Sequence, residues 1–321
     1  MAENKKQYEN KVSVTGELKS LDVIDTKTQK GVPMKIATIK VETGKGSTHT
    51  AKMMALEYFE KDGQRNDNQA YKAIQTMENE YVSKGDIAKN VAPEGSVPTV
   101  VNINGSLELN MYKNRAGALV ESSQINARFV NRINNPEEAT FGAEFTIQAY
   151  VTSKGVRVEK NDEETDEVKF KAATIDYTGT AHPFELTGND EYGVATWLED
   201  DSEVGQTLIL QGQIINRYIV EQVERSTEGA VGKKIIDTRR DVERKLLVEG
   251  IIPIEDEDDK KFITPQEIKD STKKFQDKKV EIESSTGSKT KDVKKGVQTS
   301  KAATTVGKSP KPTIDEDDLP F

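Results

Sequence analysis

Apolar and polar positions along the chain follow two periods. In the first 60 residues the period is two: Val12, Val14, Gly16 and Leu18, then Met34 to Val41, then His49 to Tyr58, with Gly44, Gly46 and Ser47 marking a hairpin between the last two runs. From Asn68 to Ser83 the apolar positions Ala70, Ile74, Met77 and Tyr81 recur at spacings of three and four, which predicts a helix. A loop with Pro93, Gly95 and Pro98 then leads to strands predicted over Thr99 to Tyr112 and Ala118 to Ile133. The order recurs downstream: strands over Phe145 to Thr152, Val168 to Tyr177 and His182 to Thr187, a short helix over Glu191 to Glu199, and strands over Thr207 to Tyr218 and Lys245 to Ile252. Lys35 to Val41 aligns with Lys171 to Tyr177, and Gly105, Leu107 and Tyr112 parallel Gly212, Ile214 and Tyr218. Two likenesses in the same order predict a duplicated domain.

Three strands, a helix and two strands is the order of an OB barrel, so the expected fold class is all-β, two OB barrels each with a short helix and a tail after them. The expected division is 1–135, a first OB barrel; 136–254, a second OB-like domain; 255–284, an acidic connector with a helix; 285–313, a linker; and 314–321, an acidic tip. Thr264, Pro265 and Glu267 form a capping signature for that helix, which is predicted to run to about Glu283 with Ile268 and Phe275 on a narrow apolar stripe. The linker is rich in Lys, Ser, Thr and Gly and has no aromatic residue, a composition expected to be disordered because it cannot bury enough apolar surface to offset chain entropy.

Composition narrows the chemistry. The 321 residues contain no cysteine and only His49 and His182 as histidines, so thiolate zinc sites, disulfides and multi-histidine centres are excluded. Neither histidine has an acidic or histidine partner at ligand spacing, and no metal site or cofactor is expected. No phosphate-cradling glycine loop or nucleophile motif is present, and the chain reads as a binding protein rather than an enzyme. No run of apolar residues is long enough for a membrane span, and a soluble, cytoplasmic protein is expected. The net charge of -9 disfavours nucleic acid only as a total: residues 1–135 carry +3, residues 136–250 carry -11 and residues 251–321 carry -1. Ser285 to Thr313 holds seven lysines and one aspartate, followed by four acids from Asp315 to Asp318.

Gly105, Leu107, Tyr112, Asn114, Gly117 and Val120 resemble the closing hairpin of bacterial single-stranded DNA-binding proteins, and the end of the chain, Asp315, Glu316, Asp317, Asp318, Leu319, Pro320 and Phe321, resembles that family's acidic tip. Two domains and a lysine-rich linker resemble a bacteriophage-encoded relative more than the single-barrel cellular members, which would place the protein in a bacterial host's cytoplasm. The resemblance implies binding and protection of single-stranded DNA in replication, recombination and repair, with partner proteins recruited through the tip; a homo-oligomer is among the expected assemblies.

Stacking rings and cations suited to a strand are Tyr112, Lys113 and Arg115 on the hairpin, Tyr58 and Phe59 at the end of the third strand, one inward and one facing the groove, and Lys35, Lys40, Lys52 and Arg128 on strands of one face. Arg217 and Tyr218 are expected at the corresponding turn of the second copy, which at -11 is expected to bind less strongly. Trp197 shares a helical face with Val194 and Leu198 and is expected in the core. An alternative reading is a protein-interaction adaptor whose barrels bind DNA weakly or not at all.

Overall fold

The computed structural model describes residues 6–61, 63–114, 116–160, 162–224 and 236–284. The first repeat comprises strands β1 (Asn10–Lys27), β2 (Pro33–Gly44) and β3 (Ser47–Leu56), a small hairpin β4 (Tyr58–Lys61) and β5 (Gln64–Asp67), helices α1 (Gln69–Glu80) and α2 (Lys84–Ala88), and strands β6 (Val100–Lys113) and β7 (Leu119–Arg132). The second comprises β8 (Gly142–Lys160), β9 (Glu163–Ile175), β10 (Ala181–Asn189), α3 (Val194–Asp200), β11 (Thr207–Glu224) and β12 (Ile236–Ile254), and helix α4 (Pro265–Ser284) follows.

In each repeat the strands close on themselves. β1 pairs with β2, β2 with β3, β3 in parallel with β7, β7 with β6, and β6 returns to β1. The second circuit runs β8, β9, β10, β12, β11 and back to β8, with β10 and β12 parallel. Both are OB barrels. Alternation fills them: Leu18, Ile39, Ile103, Leu107 and Ile125 are fully buried in the first, and Ile147, Phe170, Leu186 and Leu208 in the second. Ile74 and Met77 of α1 pack into the first barrel, and Val194, Ala195 and Leu198 of α3 into the second, with Trp197 partly buried against the same core.

The barrels are fused. Strands β1 and β8 pair antiparallel from Asn10 opposite Ile147 to Thr15 opposite Gly142, so one ten-stranded sheet and one apolar cluster run through both. Val12 faces Gly105, Phe145 faces Gly212, and Val12 and Phe145 face each other, which relates the barrels by a local twofold axis between those two residues. Gly105 and Gly212 are thus equivalent, as the sequence suggests. Each lies at a β-bulge where an added Cβ would sit 2.1 Å from the Asn126 carbonyl oxygen or 1.9 Å from that of Leu247. The other sequence likeness is out of register. Leu18 faces Val41 and Val151 faces Ala172, so Ala37 corresponds to Val168, five residues before the Ala173 with which the heptapeptides align it.

His182 of β10 locks the seam. Its Nδ1 accepts the backbone N–H of Leu109 in β6 at 3.0 Å, which leaves the proton on Nε2 to be donated to Asp176 at 3.0 Å. Burial opposes the charge of Asp176, but hydrogen bonds from His182, Thr178 and the Thr180 N–H outweigh it and hold the carboxyl well below the usual carboxylate range. Helix α4 straps the back of the molecule. The Thr264 and Glu267 side chains each accept the other's backbone N–H, as their spacing predicts, and Ile268 packs on Ala173, Ile175 and Ala181. Its far end meets the first barrel, where Lys279 pairs with Glu121.

Candidate nucleic-acid interface

Inward positions on β2 and β3 are Ala37, Ile39, Val41, His49, Ala51, Met53 and Ala55. The outward positions are therefore Ile36, Thr38 and Lys40, facing Met54, Lys52 and Thr50 in turn. β1 adds Ile24 opposite Ile36 and Asp22 opposite Thr38. Met54 is 64% exposed and Ile24 60%, and Lys52 makes no ion pair with a described residue. The result is an open sheet face with two lysines, three apolar side chains and, on β1, the carboxylate of Asp22. Beyond its edge, β4 carries Phe59, 47% exposed, and Tyr58, whose ring is covered by the Arg65 guanidinium at 3.6 Å.

The face is continued by the second barrel. Arg217 of β11 pairs with Ser47, the Tyr218 N–H donates to the Gly46 carbonyl at 3.0 Å, and Asn216 Nδ2 donates to the Thr48 carbonyl at 2.6 Å. Paired antiparallel residues share a side, so Arg217 lies on the side of Ser47, and Asn216 and Tyr218 lie on the side of Thr48, Thr50 and Lys52.

Several expected positions differ. Lys35 shares the parity of Ala37 and Ile39, is 5% exposed, and is ion-paired with Asp25 and Glu78, both at 2.8 Å. Burial alone would lower its pKa, yet the hydrogen bonds with Asp25 and Glu78 outweigh this and raise it. It does not line the face of Lys40 and Lys52. Tyr58 and Phe59 do not end β3, because the chain bends at Glu57 and starts a separate hairpin. Tyr112 and Lys113 do not stand in water as a free hairpin tip would. Tyr112 lines a groove against the second barrel, and Lys113 Nζ donates to the Glu283 carbonyl at the end of α4 at 2.7 Å. Arg217 and Tyr218 lie within β11 rather than at its turn, and Arg217 is paired with Glu243 at 2.6 Å. Arg128 lies further along β7, at the bulge opposite Gly105, and makes no ion pair with a described residue. Arg115, the linker and the tip Asp315 to Phe321 lie outside the described residues.

The equivalent face of the second barrel differs in chemistry. Lys52 and Thr187 occupy the same place, opposite Thr38 and Lys169 and beside Asn126 and Leu247. Ile36, Thr38, Lys40, Thr50, Lys52 and Met54 thus correspond to Glu167, Lys169, Lys171, Glu185, Thr187 and Asn189. Lys169 is paired with Glu185 at 2.9 Å, and Lys245 with Glu167 and Glu243. Tyr112, Val120 and Ser122 of the first barrel's hairpin roof this face, leaving a groove of about 690 Å³.

Reading the sequence missed Ile24, Ile36 and Met54, whose outward parity follows from strict alternation once the strands are assigned. It also missed Phe129, for which alternation from Ile125 and Ala127 points inward, whereas the structure leaves the ring exposed. Among the described residues no cluster of three His, Asp or Glu could hold a metal ion, and no helix is long and apolar enough to cross a membrane.

A family model described as YorF matches residues 9–288. No curated protein matches. Among solved structures, wild-type single-stranded DNA-binding protein from Thermus aquaticus is similar with a TM-score of 0.44 and 12% identity, covering 78% of this chain and 95% of that one. A deletion variant of the same protein gives 0.45 and 11%, covering 78% and 98%. A replication protein A heterotrimer bound to single-stranded DNA gives 0.16 and 11%, covering 78% and 67%.

Proposed function

The chain belongs to the YorF family, and we propose that it binds single-stranded DNA on the outer β1–β2–β3 face of its first barrel and along the adjoining part of β11. One observation carries this reading. The first barrel presents Lys40 and Lys52 among Ile24, Ile36 and Met54, with the acid Asp22 of β1 opposite Thr38, whereas Lys169 and Lys171 on the equivalent face of the second barrel sit among Glu167 and Glu185 beneath a hairpin. Cations meet phosphates and apolar side chains meet base faces, which is what sequence-tolerant strand binding requires. The second barrel serves as a brace and accessory surface. The protein acts by binding rather than by catalysis, and its acidic tip docks replication and repair proteins through the Phe321 ring and the acids Asp315 to Asp318.

Fluorescence anisotropy of labelled oligo-dT over a salt series tests the reading. Affinity should fall with a logarithmic slope of about -0.7 per phosphate neutralised, and Lys40→Glu with Lys52→Glu should remove most of it. The adaptor reading is favoured by the -11 charge of residues 136–250. Absence of binding at low salt would select it.

A further inference from the structure

We infer that Arg128 and Phe129 form a second contact for the strand, on the first barrel but beyond its β2–β3 face, with the Phe129 ring stacking on a base and the Arg128 guanidinium meeting a phosphate. This rests on the function proposed above and extends its site.

The placement comes from the backbone. Asn104 faces Phe129 and Gly105 faces Ala127, so Arg128 is the extra residue of a β-bulge. Strict alternation after Ile125 and Ala127 would send Phe129 into the barrel. The bulge instead turns Val130 inward, at 8% exposed, and leaves Arg128 and Phe129 both outside, the ring at 66%. Two grooves of about 460 and 370 Å³ meet at Arg128, Lys11 and Asn10, one bordered by Tyr8 and the other by Phe129. Several acids of these grooves are engaged. Glu9 pairs with Lys11 at 2.6 Å, Glu108 accepts from Ser106 and Asn126, and Asp176 is held by His182. Glu144 is the further acid, on the groove that Phe129 borders.

The second barrel shows that the fold does not require this pair. Its bulge, with Gln211 facing Gly250 and Gly212 facing Val248, carries Glu249 and Gly250 at the positions of Arg128 and Phe129. The same backbone device persists there with neither ring nor cation, and Glu144 replaces Lys11 across the twofold. An exposed phenylalanine beside an arginine that makes no ion pair with a described residue is thus specific to the barrel whose open face carries Lys40 and Lys52. The two places are continuous: Lys52 pairs with Asn126 across the parallel β3–β7 junction, and Asn126 is two residues before Arg128. A strand leaving Lys52 along β7 reaches the pair directly.

The test is oligo-dT anisotropy with the full chain, supported by unfolding curves showing that the variants remain folded. Phe129→Ala should weaken binding roughly tenfold, Phe129→Leu should do the same, and Phe129→Trp should restore it, because stacking needs a ring. Arg128→Gln should reduce the salt slope by about 0.7. Wild-type affinity and slope in Phe129→Ala and Arg128→Gln, with the wild type itself binding, would overturn this inference alone and leave the pair to a protein partner. Full binding by Phe129→Leu would overturn the stacking role. A wild type that does not bind oligo-dT would overturn both this inference and the function it rests on.

Discussion

The two barrels share a backbone and differ in what they show to solvent. Both place a glycine, Gly105 or Gly212, at a bulge facing the closing strand, both bulge again near the middle of the first strand, and both pack a helix against the core. Outside, Ile36, Thr50 and Met54 of one are Glu167, Glu185 and Asn189 of the other, and Arg128 and Phe129 are Glu249 and Gly250. Fold is maintained by the inward positions and by glycines that admit close backbone approach. Function resides in the outward positions, which the fold leaves free to diverge.

The shared half of the comparison has the largest expected effects. Gly105→Ala and Gly212→Ala should each destabilise the protein by about 3 kcal/mol or more in urea unfolding, since a Cβ would press on a partner-strand carbonyl that cannot move alone. A large loss at one glycine and none at the other would break the equivalence.

A core difference comes next. His49 is buried, and burial lowers its pKa from 6.5 to about 4; its counterpart in the second barrel is Phe184. Because the unfolded chain takes up a proton that buried His49 refuses, stability is complete above about pH 6.5 and is lost as pH falls toward 4, by up to about 3 kcal/mol. Asp176, also depressed, acts in a separate window: its contribution is present above its ordinary pKa of 3.8 and lost below it. His49→Phe should flatten the profile between pH 6.5 and 4 and leave the lower window in place. An unchanged profile between those values would show that His49 is not the group responsible.

At the seam, His182→Ala leaves the Leu109 N–H without its acceptor and should cost about 2 kcal/mol. No loss would mean that the His182 contact does not help to hold the barrels together. The smallest effect concerns the tip: removing Asp315 to Phe321 should leave strand affinity unchanged or slightly tighter while abolishing partner capture, since a tethered acidic peptide competes for cationic surface. Weaker strand binding would contradict this.

Much of the fold was legible because alternation and the change to a helical period reflect burial directly. The inward position of Lys35 was also available from its parity with Ala37, Ile39 and Val41. Other features lay in geometry that a linear pattern does not carry. A bulge has no marker in the β7 sequence, so Phe129 reads as core. A seven-residue likeness fits more than one register when β-branched and small residues alternate, which explains the misalignment of Ala37 with Ala173. The hairpin of Tyr112 reads as exposed because the surface that covers it belongs to β9, β10 and β12, far away in sequence.

Oligo-dT affinity of two paired variants in the full chain, Lys40→Glu with Lys52→Glu and Lys169→Glu with Lys171→Glu, tests the asymmetry most directly. Both make the same charge change on corresponding faces: Lys40 and Lys171 are equivalent, and Lys169 corresponds to Thr38, the cross-strand partner of Lys52. The account predicts that the first pair loses most of the affinity, on the order of a hundredfold at moderate salt, and that the second stays within a few-fold of the wild type. Equal losses, or the larger loss in the second barrel, would contradict it.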